Sequence, residues 1–318
     1  MNKKIRYYVH GHTGKGFVDL LDNNLEQIDH IVLLESNDKK TVTATLETIA
    51  NLLKDETVEI IMSTLSKHYI DGIIVRSRSF AMLHEPLYKR HTKAKKVERI
   101  TFPDAGLNDF AFEKNLHQIY DEAYNYFKKG LSIHDQLEEI YIKHMDFNKA
   151  NRVIDRLLNE LFAGIEKRKT KATVYERLFG TNTPDGIVYT LEELIEPIEK
   201  KIFILGRAGT GKSHLMHQVL QKCVELGIDC EVYRCSLDPK SIDMIIIRDL
   251  NVCLHDNTPP HQIEMKDPAI RVIDMFKETV DQTVEKTYGK QIDMLEKSYK
   301  EQMKLGLETL KKLKLMGG

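Results

Sequence analysis

The stretch GRAGTGKS at 206–213 constrains this chain more than any other eight residues in it. It fits G-x-x-x-x-G-K-[ST] at every fixed position. Before it, IFIL (202–205) is a short, wholly apolar run, the pattern of a buried parallel strand. After it, Leu215, Met216, Val219, Leu220, Cys223 and Val224 recur at helical spacing, and Gly227 stands where a helix would stop. Strand, glycine loop and helix in that order predict an α/β unit with an anion site. Gly206, Gly209 and Gly211 let the backbone curl until the loop's N–H groups, with Arg207, Ala208 and Thr210 between them, face phosphate oxygens. The positive end of the following helix adds to the attraction. In such a site Lys212 reaches the β- and γ-phosphates and the Ser213 hydroxyl ligates Mg2+. The Arg207 side chain is read as facing solvent. A chance glycine-rich turn would have no need of the flanking strand and helix.

The same scaffold occurs earlier without its glycines. IVLL (31–34), ESNDKK (35–40) and a helical pattern through TIANLL (48–53) again read strand, turn, helix. STLSKHYIDGIIVRS (63–77) and CSLDPKSIDMIIIRD (235–249) match at an offset of 172, pairing Leu65, Ile70, Asp71, Ile73, Ile74 and Arg76 with Leu237, Ile242, Asp243, Ile245, Ile246 and Arg248. TGKGFV (13–18) parallels TPDGIV (183–188), and DQLEEIYIKHM (135–145) parallels DMLEKSYKEQM (293–303). The order is the same in both halves, so the chain reads as a duplication with a boundary at the charged EKRKTKATVY (166–175). The expected domains are 1–170 and 171–318. Alignment on the helix puts Thr41 opposite Lys212, or Lys40 and Thr41 opposite Lys212 and Ser213 after a one-residue shift. Neither restores the glycines, and Glu35 and Asp38 would repel phosphate, so the first copy is expected to have lost its site.

Other residues complete the second copy. CEVYRC (230–235) and VCLHD (252–256) read as further strands, and Asp256, directly after an apolar run, is the expected Mg2+-organising acid. The first copy has His84 there, in keeping with a lost metal site. Asn257 follows Asp256, so the candidate to position an attacking water is Asp238 in CSLDP; capping a following helix is an equal reading of that residue. Thr258 and His261 in DNTPPH line the site or belong to a rigid Pro-Pro loop. His214 and His217 lack a third ligand at metal spacing and read as surface or packing residues. GHTGKG (11–16) lacks the spacer and the hydroxyl of a phosphate loop and reads as a turn.

Residues 107–162 and 268–315 are long proline-poor or proline-free stretches rich in Leu, Ile, Tyr, Glu and Lys, which predicts a helical hairpin appended to each copy. These arms either pack on the cores or engage a protein partner. The basic run YKRHTKAKKVER (88–99) has no interleaved aromatics and reads as a solvated loop. A net charge of −1 gives no bulk attraction to nucleic acid or membrane. The four cysteines form no CxxC pair and are expected to be reduced. No leader-like apolar run opens the sequence, and no window approaches the roughly 18 apolar residues of a membrane span, so a cytoplasmic protein is expected.

Taken with GRAGTGKS, CSLDPKSIDMIII (235–247), VCLHDNTPPH (252–261) and the T-x-x-G turn ahead of each copy, the chain resembles a poorly characterised bacterial family of ATPase-like proteins with two tandem P-loop units. The resemblance covers most of the chain and implies ATP binding without naming a substrate. ESNDKK departs from the family pattern of two plausible P-loops. The fold expected is α/β: two tandem P-loop NTPase-like units, each a mainly parallel sheet with flanking helices. The leading functional expectation is a Mg2+-dependent ATPase that couples nucleotide state to arm movement. A small-molecule kinase, with Asp238 accepting the substrate proton, and a non-catalytic nucleotide sensor remain open. No guanine-reading NKxD element is present, which favours ATP.

Overall fold

A computed structural model describes residues 3–88, 93–103, 110–265 and 267–315. The basic run 88–99 falls partly outside them. The first copy runs β1 (Lys3–Tyr7), a hairpin of β2 (His10–Thr13) and β3 (Gly16–Asp19), α1 (Leu21–Leu25), β4 (His30–Glu35), α2 (Lys39–Leu52), β5 (Thr57–Met62), β6 (Ile70–Val75), β7 (Phe80–His84) and β8 (Lys96–Thr101). Two helices follow, α3 (Phe110–Ile142) and α4 (Phe147–Phe162). The second copy repeats the series: β9 (Val174–Arg177), β10 (Gly180–Thr183), β11 (Gly186–Tyr189), α5 (Leu191–Ile195), β12 (Lys200–Leu205), α6 (Lys212–Leu226), β13 (Cys230–Arg234), β14 (Ile242–Ile247), β15 (Val252–Asp256) and β16 (Arg271–Asp274). It closes with α7 (Met275–Thr279) and α8 (Thr283–Lys311).

Each copy builds one six-stranded sheet, and the two strand orders are the same: β1-β5-β6-β7-β4-β8 and β9-β13-β14-β15-β12-β16. In the first sheet only β6 runs against its neighbours; in the second, β14 is reversed against β13 and β15, while β12 lies parallel to β15 and β16. Both sheets are therefore mostly parallel, with helices on their faces. The duplication extends to side chains. Arg76 forks onto Glu59 at 2.8 and 2.9 Å, and Arg248 forks onto Glu231 at 2.5 and 2.9 Å. Thr13 Oγ1 donates to Gly16 O and accepts from Lys15 N, as Thr183 Oγ1 does with Gly186 O and Asp185 N. GHTGKG is thus the turn of a β-hairpin.

The compact units do not follow a single cut at 170/171. One comprises Met1–Tyr124, Glu176–Leu194 and Leu307–Gly318; the other comprises Asn125–Tyr175 and Ile195–Gly306. The hairpin β10–β11 lies with the first sheet's unit, where Tyr8 and Leu178 exchange backbone hydrogen bonds of 2.9 and 2.8 Å. Conversely α4, which precedes the second copy in sequence, supplies Ala150, Val153, Ile154, Leu157 and Phe162 to the core formed with α6 and strands β12–β16.

The helical arms are also unequal. The first copy ends in two long helices joined at 143–146, whereas the second has the five-residue α7 and then one long helix. Within 268–315, expected to be helical, Arg271–Asp274 form the edge strand β16 instead, and α7 is a single turn. Asp274 caps α7 through Lys277 N, and Val280 is extended, which ends it after a single turn. The similar stretches 135–145 and 293–303 both fall on helix, but one ends α3 and the other lies within α8. Among the described residues no helix is long and apolar enough to cross a membrane.

Candidate functional site

The loop 206–211 leaves the sheet at the carboxyl ends of the parallel strands β12, β15 and β16, where an open α/β sheet leaves a crevice for ligands. Ile204 stands in register with Asp256, and Leu205 with Asp274. Helix α6 is held to the sheet by Leu215, Met216, Val219 and Cys223, all buried on one face. Its end is fixed by Gly227 at φ 73°, whose N–H reaches the carbonyls of Cys223 and Val224.

All three loop glycines have positive φ: 155° at Gly206, 71° at Gly209 and 84° at Gly211. Two are also required by contact. A Cβ on Gly206 would lie 2.4 Å from Thr210 Oγ1, and one on Gly209 would lie 2.5 Å from the Glu138 carbonyl oxygen of α3. Thr210 is buried and ties the loop internally by donating to Arg207 O at 2.8 Å. Ala208 is half-buried. The Arg207 side chain is exposed, yet it is not free in solvent: Nε donates to Glu285 Oε1 of α8 at 2.8 Å.

Lys212 is the first residue of α6 and is buried, with Nζ donating to Gly206 O at 3.2 Å and Arg207 O at 2.7 Å. Its ammonium lies 3.7 Å from Asp256 Oδ2. Asp256 Oδ1 accepts from Thr258 Oγ1 at 2.7 Å, and Asn257 pins the same loop by accepting from Ile263 N at 2.8 Å. These ties place Asp256 and His261 beside Asp243 of β14, with one ligand atom from each within 4.8 Å of the others. Burial, with Asp256 adding to it, pushes the Asp243 carboxyl up to about 6, against the opposing pull of His261 and Lys212. The Cys235 thiol lies beside Asp243, and burial pushes it above its usual range.

Sequence reasoning singled out Asp256 and passed over Asp243. The signal was present, because Asp243 is one of the residues shared by the two copies; a shared acid on a six-residue buried strand calls for a partner. Ser213 Oγ accepts from Ile242 N at 3.3 Å and lies 3.4 Å from His217 Nδ1. His217 Nδ1 donates to Ser213 O at 2.7 Å, a local helix contact that accounts for this histidine without a metal. Asp238 does not cap a helix. Its carboxylate accepts from Lys240 N at 3.2 Å and its carbonyl from Ser241 N at 2.9 Å, which closes the β13–β14 turn.

The first copy shows what the same positions become without the loop. Three residues, 36–38, stand where the second copy has six, 206–211. The buried faces Val42, Thr43, Leu46, Ala50 and Leu215, Met216, Val219, Cys223 superimpose residue for residue at an offset of 173. Lys39, rather than Thr41 or Lys40, is therefore the counterpart of Lys212. Lys39 Nζ donates to Asp71 and, at 2.8 Å, to His84 Nδ1. His84 Nε2 lies 2.8 Å from Ser36 O, which can only accept, so the imidazole is neutral with its proton on Nε2. Burial and the adjacent ammonium both lower the His84 pKa, in agreement with that state. Asp38 turns back to cap α2 through Lys40 N and Thr41 Oγ1. Lys39, Asp71 and His84, the counterparts of Lys212, Asp243 and Asp256, are thus bonded to one another and to the turn backbone.

Comparison of the chain with known protein families, with curated proteins and with solved structures finds no match to any of them.

Proposed function

We propose that the second copy binds Mg·ATP and that the protein is an ATPase whose helical arms respond to the nucleotide. The observation that carries this reading is the contrast between the two copies at equivalent positions. One has Lys39 locked between an aspartate and a neutral histidine on a three-residue turn. The other has a six-residue loop with three glycines at positive φ, and Lys212 is held, among the described residues, by two carbonyls and a carboxylate 3.7 Å away. An anionic phosphate chain attracts the Lys212 ammonium more strongly than neutral carbonyl oxygens do, because both partners of the new contact carry a charge. Two carboxylates beside one ammonium leave a negative excess that a divalent cation would balance. Ser213 and Asp256 would hold Mg2+, with Asp243 and His261 beside them. When bound, the cation would neutralise charge on the β- and γ-phosphates. Lys212 would bridge the same phosphates, and the loop N–H groups and the start of α6 would orient them.

The second reading, nucleotide sensing without turnover, is favoured by one observation: the residue after Asp256 is Asn257, an amide held in its own loop by Ile263 N, and not a carboxylate that could activate water. Calorimetric titration with Mg·ATP separates these readings. One site per chain, lost in Lys212→Ala, is the expected result, and ADP release on incubation selects the ATPase over the sensor. ADP release that requires an added acceptor would select a kinase. Absence of binding by the wild-type chain refutes all three.

A further inference from the structure

Three positions of the glycine loop meet a single helical body within the same compact unit. Gly209 faces the backbone of Glu138 on α3; a Cβ at Gly211 would lie 3.1 Å from Met145 Cε and 3.5 Å from Met275 Cε; Arg207 is ion-paired to Glu285 at the start of α8. The body is held by a small apolar cluster of Ile140, Tyr141, Val280, Val284 and Ile292. Its turns are joined by backbone bonds from Asp146 N to Thr279 O at 2.7 Å and from Asp281 N to His144 O at 3.1 Å. The Arg207 guanidinium also lies 5.6 Å from the centre of the Phe276 ring in α7.

We propose that the Arg207–Glu285 pair is a latch through which phosphate bound in the loop releases the first turns of α8. This rests on the Mg·ATP reading above and adds its coupling element. Arg207 is the cation of the loop outside the Lys212 position, and an arriving triphosphate competes with Glu285 for it. Any interaction that phosphate gains with Arg207 at the expense of Glu285 weakens the hold on α8, and by linkage the hold on α8 weakens phosphate binding equally. The pair is 54% and 38% exposed at its two side chains, so it is a weak latch. Exposed pairs of this kind shift equilibria by about two- to five-fold, and salt reduces the effect.

The test is the affinity of Mg·ATP for wild-type protein and for Glu285→Gln at low and high salt, with amide exchange across 283–295. Glu285 is half-buried and the substitution is isosteric, so the variant is expected to fold. The expected result has two parts. Glu285→Gln binds about two- to five-fold more tightly at low salt, with the gain lost at high salt. Mg·ATP speeds exchange in the first turns of α8 of the wild type, and nucleotide-free Glu285→Gln already shows that faster exchange. Unchanged or weaker affinity in Glu285→Gln overturns the latch while leaving the nucleotide site standing. Tighter binding without any nucleotide effect on α8 exchange also overturns it, since the pair would then act on the ligand alone. A wild-type chain that does not bind Mg·ATP removes the functional reading and the latch together.

Discussion

Gly209→Ala measures how firmly α3 is seated on the glycine loop. At φ +71° an L-residue costs about 1–2 kcal/mol for the left-handed backbone alone. The added methyl would also stand 2.5 Å from Glu138 O and 2.9 Å from Glu138 Cα, both backbone atoms that cannot rotate away. Forcing such a contact costs about 1–3 kcal/mol more, for a total of about 2–5 kcal/mol. The protein carries its own control in the same compact unit. Gly164 has φ +72° with nothing within 4 Å of a Cβ, so Gly164→Ala should lose only the conformational part, about 1–2 kcal/mol. Urea unfolding of the two variants, read through amide exchange of α6, gives the difference. A loss at Gly209 larger by about 1–3 kcal/mol supports the seated helix. Equal losses would refute it.

Leu157→Ala in α4 should cost about 2–5 kcal/mol and raise amide exchange in α6, with α2 unaffected, because Leu157 is fully buried in the core with α6. Protection lost in α2 instead would contradict the observed packing. Acid stability should depend on Glu59. Burial alone would push its pKa up, but the Arg177 and Arg76 guanidiniums outweigh burial and hold it at about 2. A depressed folded-state pKa contributes stability that is present above about pH 4.5 and lost as pH falls towards 2, here about 3 kcal/mol. Glu59→Gln should be less stable at neutral pH and show a flatter pH dependence between those limits; an unchanged slope in a pH series of urea midpoints would exclude Glu59 as its source. On the proposed reading, calorimetry with Mg·ATP should show binding that Lys212→Ala abolishes and Glu285→Gln tightens.

Much of the second copy was legible because its signals are local. A strand, three glycines and a helix within 26 residues, 202–227, specify their own backbone angles, and the positive φ values at Gly206, Gly209 and Gly211 follow from that requirement. Asp256 was legible as the acid ending an apolar strand. Asp243 was not given a role, since mid-strand it reads as one more shared residue; its neighbours Asp256 and His261 come from a different strand and loop. In the first copy, an ungapped comparison cannot locate a three-residue deletion, so Lys39 was misaligned by one or two positions. Only the buried faces of α2 and α6 fix that register.

The sequence by itself determined that the chain is two copies of one α/β unit, that one copy has a glycine loop, and that the other does not. Repetition and backbone permission are properties of neighbouring residues, so they can be read in one dimension. Tertiary structure alone decided that α4 serves the second core, that the hairpin β10–β11 lies in the first unit, and that Arg207 meets Glu285 across 78 positions. An apolar helix face states that it must be covered without stating by what. Its partner is settled when all such faces are buried together, and that choice depends on chain geometry far from the residues themselves.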